Sequence, residues 1–316
     1  MNNKSGQVFR GNPNLERFNP LSRIFFYDDF DTSANGWCEL IGNHNGDLNQ
    51  VRNCMKDLRP PQLSNLSFWD IGSHGSLTGD YALKIATRAR AEHMAQLIKR
   101  TTLAKPGLVQ FETYFTFKAE QRKEQVLQAY HGNQAASGPD MWDGNTHPSE
   151  ADFGEFTFSN DMCIGTGPRQ RAHCALRYVN ALPDGTFPRQ WYYKTSVQPS
   201  TKMVRSGLVK EPRDYHVIDP RDWLPIPGSK QDFCYNELPT KVNWHYLRWQ
   251  FDTSKLQSVS LQVNDLVLDL RDIPVPRFDH PYLGLTNLMN FCVDVRTYQN
   301  VRNFMYMDSV LVSVES

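Results

Sequence analysis

Between Trp244 and Leu270 the chain reads WHYLRWQFDTSKLQSVSLQVNDLVLDL, with apolar residues at every second position and an Asn264-Asp265 turn breaking the run. A period of two belongs to extended chain, so the stretch predicts an antiparallel hairpin. On its first strand Leu247, Trp249 and Phe251 share one face, and Tyr246, Arg248 and Gln250 the other. On its second, Val259, Leu261 and Val263 oppose Ser260, Gln262 and Asn264. A sheet with one apolar face needs a second layer over it, and the rest of the chain offers strands far more readily than helices.

Leu108 to Lys118 (LVQFETYFTFK) alternates as clearly, with Val109, Phe111, Thr113, Phe115 and Phe117 facing a core and Gln110, Glu112, Tyr114, Thr116 and Lys118 facing away. Further strands are expected at Arg23 to Phe30, Tyr81 to Arg88, Gly154 to Ser159, His173 to Asn180, Gln190 to Thr195, Tyr282 to Phe291 and Phe304 to Val314. Ala95 to Leu103 reads as a strand or a short helix, and Gln121 to Tyr130 has helical composition. Asn35-Gly36 and Pro183-Asp184-Gly185 are turn signals. About ten strands and little helix argue an all-β, antiparallel sandwich. With 316 residues and 40% hydrophobic content the chain can bury one large core. The expected organisation is an N-terminal extension over residues 1–22 and one sandwich domain over 23–316, with loop excursions near 42–76, 131–152 and 199–239.

The residues Phe26-Tyr27-Asp28-Asp29-Phe30, Phe111-Glu112-Thr113-Tyr114-Phe115, Trp249-Gln250-Phe251-Asp252 and Met307-Asp308-Ser309-Val310 give the chain its likeness to a known superfamily. In their arrangement it resembles the jelly-roll sandwich of the concanavalin A-like lectins and glucanases. What the resemblance implies is a carbohydrate ligand or substrate on the concave face of a curved sheet, handled by a glycoside hydrolase, by a lyase or by a lectin-like module that only binds. Fold alone does not choose among them.

Glycosidases set a carboxylic acid and a carboxylate across the scissile bond. The ExDxxE-like motif of the superfamily's glucanases is absent, and Glu112 with Glu155 would form the pair if their strands were adjacent; otherwise both are solvated strand acids. A lyase uses a Tyr or His base and a cation or amide to neutralise a uronate. Tyr114, Arg248, Gln110 and Gln250 supply those types, although Arg248 reads equally as half of a cross-strand ion pair. In the long polar segments, Trp69, His74 and Trp142 are candidate sugar contacts, indoles for stacking and the imidazole for hydroxyls, or else plugs that hold loops on the sandwich.

Charge balance, Lys+Arg 34 against Asp+Glu 34, gives no basic footprint for nucleic acid. No apolar run suits a membrane span or a secretory leader, which leaves a cytoplasmic protein as the expectation. Six scattered cysteines match neither a zinc pattern nor a dense disulfide framework. No cofactor is required by any motif. A structural Ca²⁺ is an option at Asp29 and Asp308 if the first and last strands pair, against the alternative that both carboxylates bind backbone N–H groups. The oligomeric state is not legible.

Overall fold

The computed structural model describes residues 13–41, 62–64, 76–122, 149–163, 170–196, 203–206, 209–212, 222–236, 242–279 and 287–315. Trp69, His74 and Trp142 lie outside them, as do almost all of the helical-composition stretch and most of the three loop excursions.

Two antiparallel sheets carry the fold. Sheet A runs in the order β15 (Leu266–Asp269), β14 (Gln257–Val263), β13 (His245–Asp252), β6 (Leu108–Ala119), β18 (Asn303–Val314), β4 (Ala82–Ala86) and β3 (Gln62–Ser64). The opening strand β1 (Arg23–Asp28) pairs with the closing strand β18. Sheet B runs β12 (Trp223–Lys230), β9 (Gln190–Lys194), β8 (Gln170–Val179), β7 (Glu155–Cys163), β17 (Leu288–Arg296), β5 (Met94–Thr102) and β2 (Cys38–Ile41), with β16 (Arg277–Asp279) beside β8. A separate hairpin joins β10 (Met203–Ser206) to β11 (Val209–Pro212). The two sheets pack as an antiparallel β-sandwich around one core. No helix among the described residues is long and apolar enough to cross a membrane.

The period-two pattern puts the expected residues inside. Phe111, Phe115 and Phe117 from sheet A meet Phe156, Phe158 and Phe291 from sheet B in one hydrophobic cluster, where Phe111 stacks on Phe291 at 5.2 Å. Leu247, Trp249 and Phe251 are at most 1% exposed. Burying such aromatics stabilises by about 1.5–3 kcal/mol apiece, and their mutual ring contacts add to that.

Three departures from the sequence reading stand out, and one open choice is resolved. The 244–270 run makes three strands rather than two. Thr253–Leu256 links β13 to β14, and the Asn264-Asp265 turn, with Asn264 at φ 52°, links β14 to β15. A bulge then shifts the register so that Phe251 faces Ser258. Val259 is therefore only half-buried, and Ser258 turns inward to accept a hydrogen bond from Trp249 Nε1 at 3.2 Å. Strand β12 falls inside the excursion expected to be irregular; as an edge strand it tolerates Pro225 and Pro227, which a central strand would not. Ala95 to Leu103 resolves as the strand β5. Finally, β17 extends to Arg296, five residues beyond the expected end.

Asn35 and Gly36 turn at φ 47° and 83°, setting Trp37 so that its Nε1 donates to Asp28 at 3.0 Å. Cys163, Cys174 and Cys292 are buried free thiols, and burial pushes Cys174 and Cys292 up to about 12, so both act as apolar packing.

Candidate functional site

Each sheet presents a polar face on the side away from the core, and the two faces differ. On sheet A, the alternation of β6 and β13 sets Gln110, Glu112 and Tyr114 directly across from Gln250, Arg248 and Tyr246. The Glu112 carboxylate is fully buried. Its Oε1 accepts from Asn19 N at 2.8 Å and from the Tyr246 hydroxyl at 2.5 Å; its Oε2 accepts from Gln110 Nε2 at 2.8 Å. The ladder continues: Gln250 Nε2 donates to Gln110 Oε1, and Ser260 Oγ to Gln250 Oε1. Residues 13–22 lie over this face. Tyr114 donates its hydroxyl to Arg17 O, Gln110 Nε2 donates to Asn19 O, and Phe18 wedges its ring edge-on between Tyr27 and Tyr114. Burial and the nearby Glu112 charge push the Tyr246 hydroxyl well up, so it stays a donor. Arg248 stands across from Glu112 but makes no ion pair with it among the described residues, and its Nε is buried without a partner.

Glu112 and Glu155 do not form a pair. Glu112 lies on β6, whose neighbours are β13 and β18, whereas Glu155 lies on β7, between β17 and β8 in the other sheet. The two strands alternate in phase with different faces of the sandwich, so their acids point to opposite sides of the molecule.

Asp308 is likewise committed. The strands β1 and β18 do pair. However, the Asp308 carboxylate accepts from Leu77 N, from Thr78 N at 3.0 Å and from Ser309 Oγ at 3.0 Å, while Asp29 accepts from Asp31 N at 3.3 Å. Burial, opposed by those N–H groups, raises Asp308 to about 6. No group of three or more His, Cys, Asp or Glu among the described residues is set to hold a metal ion. Asp31 clamps the same loop by accepting from Asp80 N at 2.8 Å, and a side chain on Gly79 would collide with its carboxylate.

Sheet B's outward face is built differently. Along β17 the sequence CVDVR alternates Val293 and Val295 inward with Asp294 and Arg296 outward. Register then sets Asp294 between Gln96 of β5 and Thr157 of β7, with Arg177 of β8 next in the row; one step along, Arg296 faces Glu155. All six side chains are at most 6% exposed. The Arg177 Nε lies 3.4 Å and an Arg296 terminal nitrogen 3.9 Å from Glu155 Oε1, and Tyr298 donates its hydroxyl to Glu155 Oε2. Arg296 also pairs with Glu92. The half-buried Trp223 ring lies 3.9 Å from the Arg177 guanidinium and 5.1 Å from Lys194 Nζ.

Two properties set this face apart. Burial, reinforced by the negative Glu155 and opposed by Arg177, pushes Asp294 up to about 7, far above an ordinary carboxylic acid. Several buried atoms also have no hydrogen-bond partner: both amide atoms of Gln96, Arg296 Nε and Asn290 Oδ1, while Glu155 Oε1 and Arg177 Nε have only their mutual ion-pair contact. Buried polar groups in native proteins are nearly always satisfied, so such a concentration calls for water or a ligand. Sequence reasoning named Glu155 here and missed Asp294, Gln96, Arg177, Arg296, Tyr298 and Trp223. The signal for two of them was the continued alternation past Phe291.

A protein family described as a domain of unknown function (DUF6772) matches residues 5–316. The chain belongs to this family. No curated protein matches it. Among solved structures it is similar to one described under endo-acting O-glycanases that members of the human gut microbiota express to initiate mucin breakdown. The identity is 10%, covering 93% of this chain and all of that one, with a TM-score of 0.38. It is also similar to the potassium-bound carbohydrate recognition domain of Emp46p, at 8% identity over 94% of this chain and 97% of that one, TM-score 0.36. A third is the Bauhinia forficata lectin in complex with GalNAc, at 8% identity over 81% and 99%, TM-score 0.33.

Proposed function

We propose that this protein acts on a carbohydrate as a glycoside hydrolase, on the outward face of sheet B, with Asp294 as the general acid and Glu155 as its partner carboxylate. The observation that carries the reading is the pairing of two buried carboxyl groups in opposite environments on adjacent strands. Asp294 holds its proton near neutral pH because it is desolvated beside a negative neighbour; Glu155 is ion-paired to two guanidinium groups. Splitting the two environments in this way divides acid and base roles between two carboxyls. Asp294 would protonate the departing glycosidic oxygen as its bond to the anomeric carbon breaks; Glu155, oriented by the Tyr298 hydroxyl, would face the positive charge that develops there; and a water oxygen would bond to that carbon, its proton restoring the carboxyl of Asp294. Trp223 and Tyr298, both half-buried, supply ring faces at the margin of the charged floor.

The same features do not suit Glu112 to this role. Its two oxygens already accept three hydrogen bonds beneath residues 13–22.

Mass-spectrometric product analysis in ¹⁸O-water, with a panel of neutral and uronate-containing oligosaccharides, tests the reading. Products that gain the label across a broken linkage, and are lost in Asp294→Asn and Glu155→Gln at unchanged melting temperature, are the expected result. An unsaturated product would make the protein a lyase. Binding of a glycan without turnover would leave a lectin-like module and remove the hydrolase.

A further inference from the structure

The polar face of sheet B does not stop at Asp294. One register step further along the same three strands, Cys292, Ser159 and Ala175 stand side by side. One step beyond them stand Asn290, Asp161 and His173, with Arg100 of β5 opposite Asn290. All but Arg100 are at most 6% exposed. From Asp294 to Asn290 is four residues of strand, ~13 Å at the usual rise, longer than a single sugar ring. The middle row is made of small side chains, between a row of large charged groups at one end and a polar row at the other. Small side chains thus floor the middle of this face, leaving a trough along the strands between two rows of larger groups.

Both ends of the trough carry an unsatisfied carboxamide. At the Asp294 end, Gln96 is 1% exposed and neither its Oε1 nor its Nε2 has a partner; at the far end, Asn290 is 3% exposed and its Oδ1 has none. The far row is held in place by the ion pair of Arg171 with Asp161, and His173 Nδ1 lies 3.9 Å from Asp161 Oδ1. A carboxamide offers a donor and an acceptor side by side, which is what a sugar hydroxyl, itself both donor and acceptor, can satisfy. We infer that the trough takes an oligosaccharide lying along β17, with one sugar unit at Gln96 beside Asp294 and a second subsite at Asn290. This inference rests on the glycan reading above but concerns substrate length and not bond cleavage.

The probes are fluorophore-labelled size ladders, from disaccharide to octasaccharide, prepared from laminarin, mannan, galactan, chitin and polygalacturonate. Affinity is read by fluorescence anisotropy on the full chain, wild-type and Asn290→Ala, with a melting curve on each; turnover of the same ladders is read alongside. In the wild type, affinity for one ladder is expected to rise by about tenfold or more between the shortest and longest members, the value of a well-made buried hydrogen bond or two. Asn290→Ala should remove that gain and leave the disaccharide unchanged, whereas Gln96→Ala should weaken every length alike. No gain with length in the wild type overturns the second subsite even if Asn290→Ala fails to fold. An equal loss at every length in Asn290→Ala overturns it too. Length-dependent binding without any product keeps the subsite and removes the hydrolase, turnover without length dependence does the reverse, and no binding by any ladder removes both.

Discussion

The outward faces of the two sheets carry similar residue types and reach opposite outcomes. On sheet A, Glu112, Gln110, Gln250, Tyr246 and Ser260 close a chain of hydrogen bonds under residues 13–22, and the carboxylate has no oxygen to spare. On sheet B, Arg296, Gln96 and Asn290 are as deeply buried and keep atoms without hydrogen-bond partners. A fully satisfied polar network stiffens a fold, and a partly satisfied one costs stability, a cost that bound water or a ligand can offset. The lesson is that a buried acid on a strand is informative only together with the list of what already holds it. Sheet A also holds such atoms, since Arg248 Nε, His245 Nε2 and Asn303 Oδ1 have no hydrogen-bond partner, but none of them is among Glu112's own three donors.

The comparison breaks most decisively at the level of turnover. Asp294→Asn should lower kcat of a cleaved glycan by about 10³-fold, the usual contribution of a positioned general acid, whereas Glu112→Gln should change it by less than about threefold. Equal losses measured in steady-state kinetics would erase the distinction between the faces.

Next in size is the pH dependence of stability. Asp294 is raised to about 7 in the folded protein, above its value near 3.9 in an unfolded chain, so between those limits the folded state binds the extra proton. Stability should therefore be greatest at the acid end of that window and fall by a few kcal/mol as pH rises toward 7. Asp308, raised to about 6, contributes in the same direction. Urea unfolding at several pH values should show a flatter slope in Asp294→Asn; an unchanged slope would mean that Asp294 titrates normally. For a hydrolase, loss of the Asp294 proton should also set the alkaline limb of kcat near that pH.

On the sealed face the expected effects are on stability alone. Phe18→Ala removes a ring that is 7% exposed between Tyr27 and Tyr114, and should cost about 3 kcal/mol in chemical denaturation while leaving turnover intact. The smallest effect belongs to Ser260→Ala, which deletes the 2.9 Å bond to Gln250 at the end of the ladder and should cost about 1 kcal/mol. Were either substitution to abolish turnover, sheet A would be the working face.

Most of the architecture was legible because burial on one side of a strand writes a period of two into the residues, as in LVQFETYFTFK and HYLRWQF. The same period of two in Gln190–Lys194 sets Trp191 in the core. Local cues failed where a neighbour decided the outcome. The Gln250/Phe251 bulge turned Ser258 inward in place of Val259, and an edge position admitted a strand through two prolines.

By itself, then, the sequence determined that the chain forms two apolar-lined antiparallel sheets, which residues of β6 and β13 face the core, and that polar acids stand on the outward faces. Only the tertiary structure decided which acids meet. Strand order is a long-range property: it separated Glu112 from Glu155, brought Asp294 beside Glu155 from 139 positions along the chain, and laid residues 13–22 over one face. Alternation reports which side of a strand is dry, and carries no information about which strand comes to lie beside it.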